Sequence, residues 1–237
     1  MIALLSSMSF ESNLLLSLFN KVRVSEAAGK KVYKGRLSGL DVLIVNTGIG
    51  KVNASHSLTS VVESFPVAKV INIGVGGAYP GSGLTIGDVA VASKEIFGDD
   101  GVITSRGWKD MEEIGIPVLQ KGRKKYFNEF PLSIPAQAFF SDQGNTVASI
   151  SSGPFITVGS ASGTRKRAKE LEKKFGGICE NMEGAAIAQV CAIYGIPMIE
   201  VRGISNIAGI RDKRMWRLKE ASEKCQKVIL SLLENVS

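Results

Sequence analysis

Short apolar runs of strand length alternate with helical patterns along this chain, and that alternation constrains the fold more than any other feature. Six runs have the length and the β-branched content of buried strands, namely residues 2–6, 42–46, 69–73, 88–94, 155–159 and 198–205. Helical patterns cover residues 50–65, 180–194 and 213–236, and the first two end beside a proline or a glycine. This order predicts an α/β fold with a mostly parallel or mixed sheet.

The length and the cysteine content favour one domain that needs no covalent or metal support. A chain of 237 residues buries well over half of its unfolded surface in a single core, so we expect one domain over residues 1–237. Three cysteines and one histidine, without a CxxC pair, argue against a disulfide scaffold and a zinc site. No apolar run reaches a membrane span and the start does not resemble a signal peptide, so we expect a cytoplasmic protein.

The net charge of +7 raises the question of nucleic-acid binding. The basic residues alternate with acidic ones in residues 165–174 and 211–224, which is typical of solvated helix faces. Aromatic stacking pairs and a known binding motif are missing from the sequence. We therefore expect neither a nucleic-acid partner nor a membrane partner.

Glycine-rich stretches suggest a nucleotide cofactor but do not complete its motifs. Residues 47–51 (TGIGK) and 74–77 (GVGG) lack the GxGxxG pattern, and Thr164 stands where a phosphate-binding loop needs its second glycine. No cofactor is expected. The two stretches are either tight turns or places where the backbone approaches a small ligand, with GVGG following a buried strand.

Two carboxylates are the candidates for acid–base chemistry. His56 is the only histidine and has no evident partner, so a hydrolytic base must be a carboxylate. Glu11 follows the first strand, and Glu183 lies in the first turn of a helix, where the dipole favours negative charge. The alternatives are that Glu11 is a surface residue and Glu183 an ordinary N-terminal charge.

Six segments occur in an order that is similar to one enzyme superfamily. SSMSFE, TGIGKVNA, VINIGVGGA, SGPFIT, ENMEGAAIAQVC and VRGISN resemble the nucleoside phosphorylases and nucleosidases, and nearly the whole chain resembles the methylthioadenosine/S-adenosylhomocysteine nucleosidase branch. MEGAAIAQVCAIYGIP, VRGISN and RDKRMW look most like the futalosine hydrolases. The resemblance implies a three-layer α/β/α sandwich with a central mixed sheet, commonly a homodimer. It also implies cleavage of a purine nucleoside's N-glycosidic bond by water, without a cofactor.

The resemblance also implies roles for residues around the attacking water. Glu11 matches the glutamate that activates this water, and Arg202 matches an arginine near it. Val75 departs from the nucleosidase pattern, which commonly has serine there, while Gly76 keeps the backbone close to the substrate. The GDPxR-like phosphate-gripping segment of many phosphorylases is absent from the N-terminus. Water is therefore the expected nucleophile.

A second group of residues is expected to hold the nucleoside. By resemblance, Glu183 grips the ribose hydroxyls and Met182 packs against the sugar. Phe155 matches the aromatic residue that stacks on the base, and Ile156 the residue whose backbone meets the base edge. A carboxylate beside the sugar stabilises the positive charge of an oxocarbenium-like transition state.

Asn206 stands where the adenine nucleosidases have aspartate. Asparagine cannot act as an acid, but its amide donates to a carbonyl and its oxygen accepts from a protonated ring nitrogen, which fits hypoxanthine. The plainer alternative is that Asn206 ends a strand and opens a turn. The leading hypothesis is a futalosine hydrolase; the others are a methylthioadenosine/S-adenosylhomocysteine nucleosidase and a catalytically silent nucleoside-binding protein.

The carboxylate of futalosine's benzoate-type tail needs a cation. Arg211, Arg214 and the basic cluster of residues 121–125 are the candidates, unless they are ordinary solvated charges. Residues 121–145 have mixed character, and we expect a short helix and a substrate-facing loop there.

Overall fold

A mixed sheet forms the centre of the molecule. The computed structural model describes residues 1–27, 29–132 and 150–235. The strands are β1 Ile2–Ser6, β2 Asn20–Ala27, β3 Lys30–Leu37, β4 Leu40–Asn46, β5 Lys69–Ala78, β6 Val89–Phe97, β7 Gly101–Thr104, β8 Gly107–Asp110, β9 Leu119–Lys121, β10 Lys124–Tyr126, β11 Glu129–Pro131, β12 Ile150–Thr157, β13 Cys179–Asn181 and β14 Met198–Ile207. The α-helices are α1 Asn13–Ser17, α2 Lys51–Ser64, α3 Arg165–Phe175, α4 Gly184–Tyr194 and α5 Leu218–Glu234, and the 3₁₀ turns are Ser9–Glu11 and Lys213–Met215.

Within these residues, ten strands pair into one sheet. Nine follow the order β11-β6-β12-β13-β5-β1-β4-β3-β2, and β14 pairs with both β5 and β6. Strands β5, β13, β12, β6 and β14 therefore close into a ring. Strand β14 runs parallel to β5 and changes register between Ile204 and Asn206, while β13 runs antiparallel to β5. The ring brings the ends of several strands to one place, as ligand binding in α/β folds requires.

Helices cover both faces of the sheet. On one face, Ala54, Leu58 and Val61 of α2 share a core cluster with apolar residues of α4. On the other, Leu15 of α1 packs in a cluster with Val228 and Ile229 of α5. The predicted three-layer arrangement around a central mixed sheet is confirmed.

The six predicted strands and the helices α2 and α5 are present, with two corrections at the glycine-rich and acidic segments. Strand β5 continues to Ala78, so residues 74–77 lie inside a strand and do not form a turn. The helix predicted from residue 180 begins at Gly184, because Cys179–Asn181 pairs with β12 and β5 as β13. Residues 213–236 divide into a 3₁₀ turn and α5.

Several strands were not predicted, because their side chains lack the pattern of a buried strand. Strand β2 is exposed at all residues but its last, and its sequence is largely polar. Residues 121–132 form parts of three short strands, so the expected short helix is absent from that described stretch. The remainder of residues 121–145 lies outside the described residues. None of the described helices combines the length and the apolar character that a membrane crossing requires.

Candidate active site

A cavity of about 450 Å³ opens where β1, β5 and β14 end beside the N-terminus of α4. Seven of the nine predicted site residues line it: Glu11, Val75, Gly76, Met182, Glu183, Arg202 and Asn206. The other lining residues are Ser7, Met8, Phe10, Ile49, Gly77, Ala161, Glu180, Asn181, Ser205, Arg211, Trp216 and Leu218. The structure therefore brings seven of the nine predicted residues together around one cavity, and their roles stay predictions.

Glu11 is buried, and its carboxylate is fixed by backbone donors. The Met8 amide donates to Oε2 at 2.8 Å and the Val75 amide donates to Oε1 at 2.9 Å. Burial raises the pKa of Glu11, although the nearby Arg202 charge opposes the rise. A side chain at Gly74 would come within 2.7 Å of Glu11 Oε1, so only glycine lets β5 pass this close. A desolvated, fixed carboxylate is suited to accept a proton.

Arg202 is buried among carboxylates. Its Nε donates to Glu200 Oε1 at 2.9 Å, and its Nη1 lies 3.6 Å from Glu183 Oε2. Burial disfavours the charged form, but Glu200, Glu183 and Glu11 keep the pKa of Arg202 above its usual value. A permanent cation therefore lies close to both candidate catalytic carboxylates, 3.6 Å from Glu183 and near enough to Glu11 to oppose the rise in its pKa.

Glu183 immediately precedes α4 and is anchored across the cavity. Its Oε1 accepts a hydrogen bond of 2.9 Å from the Gly50 amide, and Gly50 has a φ of 95°, which favours glycine. The Asn181 side-chain oxygen accepts from the backbone N–H groups of Glu183 and Gly184 at 2.9 and 2.7 Å. The TGIGK stretch is thus a turn that also delivers a backbone donor to a site residue.

Asn206 and Glu180 form a polar end of the cavity. The Ser205 hydroxyl donates to Asn206 Oδ1 at 2.8 Å, and Asn206 Nδ2 donates to the Ile207 carbonyl at 3.3 Å. Glu180 Oε1 accepts from the Ser162 amide at 2.8 Å. Because an amide nitrogen has two hydrogens, Asn206 keeps a further donor for a ligand.

Phe155 and Ile156 lie in the core and do not line the cavity. Both are fully buried; Phe155 packs in a cluster with Ala78, Cys179 and Ile204, and Ile156 packs in another. The structure thus separates these two from the other seven predicted residues. Their roles toward a base stay predictions.

Sequence reasoning missed a buried carboxyl pair, Glu95 and Glu200. Glu95 accepts hydrogen bonds from the Thr157 hydroxyl at 2.7 Å and from the Asn181 amide at 2.6 Å. Glu200 Oε2 has no donor among the described residues other than the Glu95 carboxyl, with which Glu200 shares a hydrogen bond. The available signal was a charged residue inside each of two apolar strand patterns, VAVASKEIF and PMIEVRG.

Burial raises the pKa of both carboxyls of this pair. The Glu200 charge raises the pKa of Glu95 further, whereas Arg202 lowers that of Glu200. Glu95 therefore holds the proton, and Glu200 is the ionised partner of Arg202. A side chain at Gly184 would collide with both carboxyls, so α4 can begin here only with glycine.

The candidate cations for a substrate carboxylate occupy different places. Arg211 lines the cavity, with its guanidinium 4.9 Å from the centre of the Trp216 ring. Arg214 is exposed and paired with Asp212. Lys121 donates to backbone carbonyls at the C-terminus of α4.

The remaining chemical candidates lie apart from this centre. His56 is exposed on α2. Across the described part of the chain, no three His, Cys, Asp or Glu side chains are grouped as metal ligands would be. The cavity thus combines the carboxylates of Glu11, Glu180 and Glu183 with the buried cation of Arg202 and the side-chain amides of Asn181 and Asn206. Such groups together can activate a water and stabilise positive charge opposite a heterocycle.

Comparisons with known proteins agree on one superfamily. Residues 1–234 match the family model described as the phosphorylase superfamily. The futalosine hydrolase of Thermus thermophilus is 35% identical over 197 residues, which are 83% of each chain. The 5'-methylthioadenosine/S-adenosylhomocysteine nucleosidase of Bacillus cytotoxicus is 31% identical over 209 residues, or 88% of this chain and 86% of that one. The structure of the S. pneumoniae nucleosidase with a transition-state inhibitor has the same fold, with a TM-score of 0.85, 22% identity and coverage of 100% and 99%.

Proposed function

This chain belongs to the phosphorylase superfamily and is an N-glycosyl hydrolase, and we propose that its substrate is futalosine. The products are hypoxanthine and dehypoxanthine futalosine, and the reaction is then a step of menaquinone biosynthesis. The observation that carries the proposal is the Asn206 amide at the polar end of the cavity. The relative named futalosine hydrolase supports it.

The amide favours a 6-oxopurine over adenine. Hypoxanthine presents a carbonyl oxygen to which Asn206 Nδ2 donates, whereas adenine presents an amino group that is itself a donor. The Ser205 hydroxyl holds Asn206 Oδ1, so the free donor direction is fixed. A site built to hydrogen-bond one group rejects an analogue that lacks it by ~10⁴-fold.

In the proposed reaction, water attacks the anomeric carbon while the bond to the base breaks. Glu11 takes the proton of this water, and its carboxylate is already fixed by two backbone donors. Glu183 binds the ribose hydroxyls and stabilises the positive charge that develops on the sugar. Asn206 has no acidic proton to give, so it stabilises the departing base anion by hydrogen bonds. The anion then takes a proton from solvent to become hypoxanthine, and Glu11 returns its proton to solvent.

We assign the substrate's tail carboxylate to Arg211. Of the candidate cations, only Arg211 lines the cavity among the described residues, and its guanidinium lies 4.9 Å from the centre of the Trp216 ring, which lines the same cavity. Phe10 and Leu218 line the same cavity with apolar surface. This combination suits an aromatic acid attached to the 5' side of the nucleoside.

The test is a comparison of four nucleosides under identical conditions: futalosine, aminofutalosine, inosine and methylthioadenosine. Futalosine and aminofutalosine differ only in the base, while futalosine and inosine share the base and differ in the tail. Futalosine should be cleaved fastest, and the sugar product should be a free reducing sugar formed independently of phosphate. Equal rates on methylthioadenosine would instead support the nucleosidase activity named for the 31% identical relative.

One substitution sharpens this test. Asn206→Asp should slow futalosine cleavage, because a carboxylate then faces the carbonyl oxygen of the base, and should raise any cleavage of aminofutalosine. Tight binding of futalosine without release of hypoxanthine would show a silent nucleoside-binding protein. A sugar 1-phosphate product would show a phosphorylase.

A further inference from the structure

Gly77 lies between two polar side chains that face the same side of the sheet. On β5 it is in register with Glu180 of β13 on one side and with Asn206 of β14 on the other. Residues in register on neighbouring strands project to the same face, and neighbouring strands lie ~4.8 Å apart. Glu180 and Asn206 therefore flank a slot whose floor is a residue without a side chain.

Glu180 is held in place, yet it keeps acceptor capacity. The Ser162 amide donates to Oε1 at 2.8 Å, while the Ser162 hydroxyl and Tyr79 Oη donate to Oε2 at 2.5 and 3.1 Å. A carboxylate offers about four lone-pair sites, so at least one at Oε1 is unused. Glu180 is one of the residues that line the cavity.

No cation balances this carboxylate within the described residues. Glu180 is 8% exposed, and it takes part in none of the ion pairs of the described chain. An unpaired buried carboxylate is costly for stability, so its place in a ligand cavity suggests a ligand donor. Ser162 and Tyr79 orient the group but supply no charge.

We infer that Glu180 reads the N1–H group of a 6-oxopurine, the ring position next to the carbonyl that Asn206 contacts. The inference rests on the proposed function for the class of base and extends it to a second determinant of base choice. Hypoxanthine has a hydrogen on N1, which a carboxylate accepts. Adenine has a lone pair there, which a carboxylate repels, so Glu180 selects for one base and against the other.

The first experiment uses the unmodified protein and free bases. Calorimetric titration with hypoxanthine, 1-methylhypoxanthine and adenine measures the N1 contact without turnover and without the substrate's tail. Methylation of N1 removes the donor and leaves the carbonyl for Asn206. Hypoxanthine should bind at least about tenfold more tightly than 1-methylhypoxanthine, because a hydrogen bond to a charged group is lost. Equal affinities would overturn the inference.

The second experiment changes the carboxylate. Glu180→Gln should weaken hypoxanthine binding about tenfold, since a neutral amide replaces the charge, and should strengthen adenine binding because the amide donates to N1. Glu180→Ala should remove most of the difference between hypoxanthine and 1-methylhypoxanthine. Glu113→Gln is the matched control, because Glu113 is an exposed partner of Lys174 outside the cavity. An unchanged ratio of hypoxanthine to adenine affinity in Glu180→Gln would contradict the assignment.

The outcomes separate this inference from the proposed function. If the variants shift base affinity while futalosine is not cleaved, the base contact stands and the futalosine proposal fails. If futalosine is cleaved and neither N1 methylation nor Glu180→Gln changes base affinity, the function stands and the role of Glu180 fails. The titration with 1-methylhypoxanthine uses the unmodified protein, so it tests the N1 contact even if a Glu180 variant does not fold.

Discussion

A few side chains carry the proposed chemistry. The charge and the orientation of each depend on its neighbours as well as on its residue type. Burial raises the pKa of Glu11, and two backbone amides fix its carboxylate oxygens, so it differs from a glutamate in solvent. Arg202 keeps its charge in the interior because carboxylates surround it.

Glu11→Gln should abolish turnover while nucleoside binding persists. The amide keeps the shape of the side chain but cannot take a proton from water, and loss of a general base costs ~10²- to 10⁴-fold in rate. Single-turnover release of hypoxanthine and a parallel binding titration measure the two effects. More than about a tenth of the wild-type rate would rule out the base role.

Arg211→Met should affect the tail of the substrate and not its base. We expect KM for futalosine to rise about two- to fivefold, the scale of an exposed charge pair, while the kinetics of inosine stay unchanged. Arg214→Met is the control, because Arg214 is exposed and already paired with Asp212. An equal loss on inosine would mean that Arg211 supports the fold of the cavity and does not bind the tail.

Phe155→Leu tests a role that the resemblance implies and that the buried position of the ring leaves open. If the ring contacts the base, nucleoside affinity should fall by about 0.5–1.5 kcal/mol. Titration with a non-hydrolysed nucleoside measures this, and thermal unfolding reports the packing of the variant. Unchanged affinity together with a lower Tm would leave Phe155 a core residue.

Among the secondary-structure elements, strand β5 shapes the site, because its glycines let side chains from neighbouring elements approach its backbone. In strand β5, Gly74 leaves room for Glu11 and Gly77 leaves room for Asn206, while Glu180 lies in register with Gly77 on the neighbouring strand. The sequence revealed the glycines but not their strand conformation, since GVGG has too few side chains to show a strand pattern. The short strand β13 was not predicted either, because its acidic and amide residues are also typical of the start of a helix.

Gly77→Ala should fill the slot with little effect on folding. The new methyl group would lie 3.1 Å from Asn206 Nδ2 and would occupy the floor beneath the base. We expect weaker hypoxanthine binding and a nearly unchanged Tm. Gly163→Ala, where an added methyl meets open space, serves as the control. Wild-type affinity in Gly77→Ala would show that the base lies elsewhere in the cavity.

For the whole molecule, apolar periodicity predicted the layered α/β fold, and seven of the nine residues predicted from recognisable segments line one cavity. It did not predict the partners of buried charges, since Glu95 and Glu200 are 105 residues apart in sequence and meet only through the closed ring of strands. Polar edge strands such as β2 were not predicted, because they have no buried face and therefore no apolar alternation. The homodimer and the cytoplasmic location stay predictions.

The carboxyl pair should make global stability fall as the pH rises. The pKa of Glu95 is raised in the folded state, so above the ordinary glutamate pKa the unfolded chain ionises while the folded chain keeps its proton. The free energy of unfolding then declines by up to about 1.4 kcal/mol per pH unit until the folded pKa is reached. Glu95→Gln has no proton to lose, so its stability relative to wild type should increase with pH. Urea unfolding at about pH 5 and about pH 8 measures the trend. A constant difference between the two proteins would show that Glu95 is ionised in the folded state.

The change of register in β14 has an evolutionary consequence. The extra residue at this bulge lets Ser205 and Asn206 both reach the cavity, while the pairing of β14 with β5 resumes at Asn206 and Gly77. Backbone atoms make the hydrogen bonds between β14 and β5. The side chain at position 206 can therefore be replaced without breaking the ring of strands. A lineage can therefore change one of the proposed base contacts by a single codon change at the bulge, while the scaffold stays the same.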